Sequence, residues 1–119
     1  MNIMLDSLTV FHEGGVEFTL PSKLAQYIEF YNVVVFLLDE NGQHNKVVGV
    51  KFSQAGGINH YYIAWEFQDI DRNGKVYPFT GISKMTHKEQ ELVYCTSWSS
   101  VGYFLNPDTG EIVDKIAIR

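Results

Sequence analysis

Asp69, Asp71, Asn73 and Gly74 stand at the first, third, fifth and sixth positions of a calcium-binding loop, with Val76 at the eighth. In such a loop three oxygen-bearing side chains converge on the ion, and the glycine permits the sharp turn. The twelfth position should carry a bidentate glutamate but holds Thr80, and Pro78 falls inside the loop. The same residues also describe a tight acidic hairpin turn, because Asp and Asn side chains bond their own backbone. The turn is the preferred reading. The expectation is therefore no metal and no cofactor.

The remaining reactive residue types form no complete catalytic set. His12, His44, His60 and His87 fall in no His-x-x-x-His spacing, and the lone Cys95 gives no Cys-x-x-Cys, so a zinc site lacks ligands. A histidine acting as general base needs a positioned partner, and the sequence indicates none. Cys95 has no basic residue within four positions, whereas a reactive thiolate draws on a nearby cation or helix N-terminus. It reads as a structural cysteine. Ser99-Ser100 lies outside any Gly-x-Ser-x-Gly elbow. Gly14-Gly15 and Gly56-Gly57 lack the lysine of a phosphate loop and read as turns. The expectation is a protein that is not an enzyme.

Seven tyrosines, eight phenylalanines and two tryptophans exceed what one small core needs, so some should be exposed or line a cleft. Tyr62 and Glu66 are four residues apart, which places them on one face of a strand. Tyrosine beside carboxylate makes a protein-binding patch, since Tyr offers large contact area at low entropy cost. The competing reading is that a helix covers this face and buries Tyr62.

The elements that must position these residues follow from periodicity and turn chemistry. Val16, Phe18 and Leu20 alternate with polar residues as a half-buried strand after the Gly14-Gly15 turn. Ser22 is a candidate N-cap, and Leu24, Ile28 and Tyr31 follow at helical spacing, which predicts a helix at about 23–31. Val33 to Leu38 is apolar throughout and predicts a central strand covered on both faces. Asn41-Gly42 turns it back into Lys46–Ser53. His60–Gln68 is the clearest strand, with Tyr61, Ile63, Trp65 and Phe67 on the core side and His60, Tyr62, Ala64, Glu66 and Gln68 on the other. Thr86 and Glu89 have capping-box spacing and favour a short helix in 86–98, although Leu92–Trp98 reads equally as a strand. Asn106-Pro107-Asp108-Thr109-Gly110 closes a last hairpin. The expected class is α+β: a mostly antiparallel β-sheet of about five to eight strands with one or two short helices.

Composition narrows the function further. The 119 residues fit one domain. Fourteen acidic side chains against nine basic ones give a net charge of -5, which disfavours nucleic acid, whose phosphates are bound through Lys and Arg. A basic protein partner suits the charge better. The longest apolar run, Val33–Leu38, is too short to span a bilayer. Met1 to Gly15 has no basic residue ahead of its apolar stretch and does not read as a secretory signal. With one cysteine and no such signal, the expected compartment is the cytoplasm.

The stretch Trp98-Ser-Ser-Val-Gly-Tyr-Phe-Leu-Asn-Pro-Asp-Thr-Gly-Glu-Ile-Val resembles a recurring feature of small bacterial immunity proteins. These are encoded beside polymorphic toxins, including those of contact-dependent growth inhibition. The resemblance implies an inhibitor that binds and neutralises a cognate toxin domain, typically a nuclease. It transfers no binding residue, because such proteins grip their toxins differently. Two rivals remain: a small-ligand-binding or enzymatic sheet domain with an aromatic-lined pocket, and a structural or assembly domain. For a toxin-binding surface the expected residues are Tyr62, Glu66, Asp69 and Asp71, an aromatic beside clustered carboxylates.

Overall fold

Alternating and wholly apolar runs broken by turn residues produce a molecule made of strands. The computed structural model describes residues 4–5, 7, 10–13 and 16–118. Its strands are β1 (Met4–Leu5), β2 (Val10–Glu13), β3 (Val16–Thr19), β4 (Lys23–Glu29), β5 (Val34–Glu40), β6 (Gln43–Ser53), β7 (His60–Phe67), β8 (Asp69–Ile70), β9 (Val76–Tyr77), β10 (Phe79–His87), β11 (Gln90–Ser97), β12 (Val101–Leu105) and β13 (Ile112–Ala117). They form four antiparallel sheets in simple sequence order: β1-β2-β3, β4-β5-β6-β7, β10-β11-β12-β13 and the ribbon β8-β9. No sheet closes into a barrel, and no α-helix occurs among the described residues. The protein is thus all-β, not α+β, and the thirteen strands among the described residues, several of them only two residues long, exceed the five to eight expected. The turn expected at Gly14-Gly15 lies outside the described residues. Among the described residues no helix is long and apolar enough to cross a membrane.

The sheet β4–β7 is the middle layer. Val33, Val35, Leu37, Val47 and Trp65 point to one side and pack against Phe79, Ile82, Val93, Cys95, Tyr103 and Leu105 of the β10–β13 sheet. Val34, Phe36, Leu38, Val48, Val50 and Tyr61 point to the other and meet Leu20 and Leu24, with Val16 and Phe18 of β3 against them. This explains why β5 is apolar throughout: a sheet covered on both faces has no solvent side. The predicted central strand is observed, covered on each face by another sheet.

Residues 23–29, expected in a helix, form β4, and a β-bulge explains the misleading spacing. Leu24 pairs with Leu38 and Gln26 with Leu37, so Ala25 is an extra residue. The bulge inverts the alternation. Leu24 enters one core, and Ile28, four residues on, packs against the other. Ser22 therefore caps no helix.

The capping-box spacing of Thr86 and Glu89 is likewise not realised. His87 pairs with Gln90, and Lys88 and Glu89 both take left-handed φ, 53° and 66°. Two such residues make the tight turn of a two-residue hairpin and are incompatible with a right-handed helix. Val93–Thr96 is hydrogen-bonded into strands on both sides, and this tertiary pairing overrides the local signal. Asn41 and Gly42 form an equivalent turn, as their chemistry predicted.

Trp65 joins the layers. A Cβ on Gly49 would lie 2.2 Å from its indole, and one on Gly110 would lie 2.5 Å away, so the ring passes between two backbones that only glycine leaves open. Its Nε1–H donates to the Pro107 carbonyl at 2.8 Å. The Asn106–Gly110 turn is thereby fastened over the middle sheet, with Lys51 3.9 Å from Asp108 beside it.

Candidate functional site

The four residues expected to form one binding surface are dispersed. In β7, Trp65 pairs with Gly49 and Ile63 with Val50, leaving Ala64 as a bulge. Strict alternation would keep Tyr62 and Glu66 together; the bulge separates them. Tyr62 lies opposite Lys51 and Glu66 opposite Val48, and these two β6 positions face opposite sides of the sheet. The expected core side of β7 divides in the same way: Tyr61 and Ile63 belong to one core, Trp65 and Phe67 to the other. Tyr62 is exposed, not covered by a helix. Glu66 is exposed beside Lys46.

Asp69 is buried and is the centre of a polar network. Its Oδ2 accepts from Ser97 Oγ and from Ser99 Oγ, both at 2.5 Å, and its Oδ1 accepts from Tyr103 Oη at 2.7 Å. Burial, and then the Asp69 bond, push the Tyr103 hydroxyl up to about 12. Asp71 turns the other way. Its Oδ1 accepts from the Asn73 and Lys75 amides at 2.8 and 3.0 Å, and the Lys75 bond is the main cause of its lowered pKa. The two carboxylates do not converge, so the calcium-loop spacing serves as a turn and a buried anchor. No cluster of metal-ligating side chains occurs among the described residues.

What the Asp69 network positions is Trp98. This residue is 68% exposed at the tip between β11 and β12. Its N–H donates to the Pro78 carbonyl at 3.0 Å, and the Ser100 N–H closes the turn onto Ser97 at 3.1 Å. The Ser99 N–H donates to Ser97 Oγ at 3.2 Å, and Ile118 N–H ties the Ser100 carbonyl at 2.9 Å. A large aromatic is thus held out by a turn that is hydrogen-bonded on every side. The β8–β9 ribbon, joined to this turn through Asp69, adds exposed Ile70, Arg72 and Lys75. An exposed Trp on a preorganised turn is the type of side chain that anchors protein interfaces. Sequence reasoning placed Asp69 and Asp71 near this end but missed Trp98. The available signal was its position in Ser97-Trp98-Ser99-Ser100, a large aromatic among turn residues.

Cys95, His60 and His87 stand in three different settings. Cys95 is fully buried between sheets, and burial pushes its thiol well above the ordinary range. His60 is exposed, with its ring 6.1 Å from that of Tyr62. His87 gains the partner that its sequence neighbours do not supply: its Nε2 lies 2.8 Å from Asp114 Oδ2, and its ring stacks on Phe104 at 3.9 Å. The depression bordered by Ser22, Lys23 and Asp39–Gly42 is open, with no aromatic in its lining.

Comparison with known proteins returns no match: no family model, no curated protein and no solved structure matches the chain.

Proposed function

We propose that this chain is an immunity-type inhibitor that binds a cognate bacterial toxin domain in the cytoplasm, with Trp98 as the anchor of its docking surface. The observation that carries the reading is Trp98 itself, 68% exposed yet held on a turn that the buried Asp69 network fixes. Burying such a side chain in a partner's pocket gains affinity without an ordering cost in the turn. Immunity as the purpose of that binding is supported by the resemblance over 98–113. A net charge of -5 suits a toxin that binds phosphates through Lys and Arg. Glu66 and Tyr62 face opposite sides of the middle sheet, and Asp69 acts from beneath the turn.

The test is co-expression with the C-terminal domain of the protein encoded by the upstream neighbouring gene, scored for toxicity of that domain alone, growth rescue and co-purification. Trp98→Ala should leave the melting temperature close to wild type, because little of the ring is buried. It should weaken binding by about 2 kcal/mol or more, roughly thirtyfold. Wild-type protein that neither rescues growth nor co-purifies sinks the immunity reading. A Trp98→Ala protein that still binds at wild-type affinity moves the docking surface elsewhere.

A further inference from the structure

The two outer edges of the β10–β13 sheet are finished alike. On β10, the Ile82 N–H points away from the sheet and donates to the Gln26 side-chain oxygen at 2.8 Å. On β13, the Lys115 N–H donates to Asp114 Oδ1 at 2.9 Å. The Ile118 N–H is bonded back to Ser100, so by alternation the amides of 114 and 116 face β12 and those of 115 and 117 face outwards. Asp114 therefore occupies a donor that the edge would otherwise offer to another strand. The carboxylate is itself fixed, by His87 Nε2 at 2.8 Å and Lys88 Nζ at 3.3 Å.

We propose that Asp114 is a lock that keeps β13 from pairing with the β13 strand of a second copy of this chain. The edge has what self-pairing needs. β13 ends its sheet, and Ile112, Val113 and Ile116 are all at least 40% exposed along it. An apolar edge of this kind is a template for another strand. Two copies meet most simply about a two-fold axis, which brings a residue opposite itself. Centred on Asp114, that pairing sets carboxylate against carboxylate; centred on Lys115, it sets ammonium against ammonium. Like charges directly opposite are destabilising. Asp114 thus fills the Lys115 amide in every register, and it repels its own copy in the register centred on it.

Sedimentation of the purified chain and of Asp114→Ala tests this. The wild type should run as a monomer and Asp114→Ala as a concentration-dependent species of twice the mass. Adding Ile116→Lys, which charges the same edge, should return Asp114→Ala to a monomer. A monomeric Asp114→Ala, a dimeric wild type, or an association that Ile116→Lys leaves intact would each overturn the lock. Amide exchange in the wild type gives a reading that needs no variant. The Lys115 amide should exchange about tenfold more slowly than that of Ala117, which is what one hydrogen bond of ordinary net strength gives. Equal exchange at the two amides overturns the cap.

Discussion

Asp69 is the residue on which the candidate surface rests. Its carboxylate accepts three hydroxyl hydrogen bonds inside the protein, and the groups that donate them come from β11, β12 and the turn between. Satisfied networks of this kind fix a single geometry, and a missing member leaves buried donors without acceptors. The Tyr103 hydroxyl titrates near 12 in the folded chain against an ordinary value of 10. The folded state holds that proton more tightly, so the contribution is fully present below pH 10 and is lost as pH rises through about 12. Melting temperature should therefore fall between these limits in the wild type. Tyr103→Phe should show a flatter fall over the same range. A wild-type melting curve with the same alkaline slope as the variant would contradict the assignment.

At the scale of elements, two bulges and one turn decide the outcome. The extra residues Ala25 and Ala64 each reverse the side-chain alternation of a strand. Each gives the middle sheet apolar side chains on both faces from one strand, which is what a sheet inside three layers needs. The β10–β11 turn is less well suited to its shape. Lys88 and Glu89 hold left-handed φ at non-glycine positions, where an L-residue costs roughly 1–2 kcal/mol. Replacing Lys88-Glu89 with Asn-Gly should raise stability by about 0.5–1 kcal/mol, after the greater unfolded freedom of glycine is allowed for. Denaturant unfolding measures this. Unchanged or lower stability would show that the Lys88 contact with Asp114 outweighs the backbone strain.

For the whole molecule, Trp65 is the clamp between the middle sheet and the C-terminal hairpin. The ring is packed against the Gly49 and Gly110 backbones and bonded to Pro107. Gly49→Ala would place a methyl carbon 2.2 Å from the indole. That distance cannot be absorbed without moving the ring, and with it the hairpin. Overpacking in a filled core costs typically 1–3 kcal/mol, so a loss of about 3 kcal/mol is expected on chemical denaturation. Near-UV circular dichroism should change with it as Trp65 is displaced. A loss below about 0.5 kcal/mol would mean that the hairpin is not fastened through Trp65.

The sequence by itself determined what depends on neighbours along the chain. The Asn41-Gly42 and Asn106–Gly110 turns, the doubly buried run Val33–Leu38 and the burial of Trp65 were all legible, because turn chemistry and apolar runs are local. The bulges at Ala25 and Ala64 were not, because an extra residue in a strand is defined only by its partner strand. One bulge made Leu24 and Ile28 look helical, and the other made Tyr62 and Glu66 look like neighbours. The site followed the same division. The Asp71 turn could be read from Asp-x-Asn-Gly alone. The burial of Asp69, the partnering of His87 with Asp114 across 27 residues and the exposure of Trp98 were decided by tertiary structure, because each depends on which distant strand lies alongside.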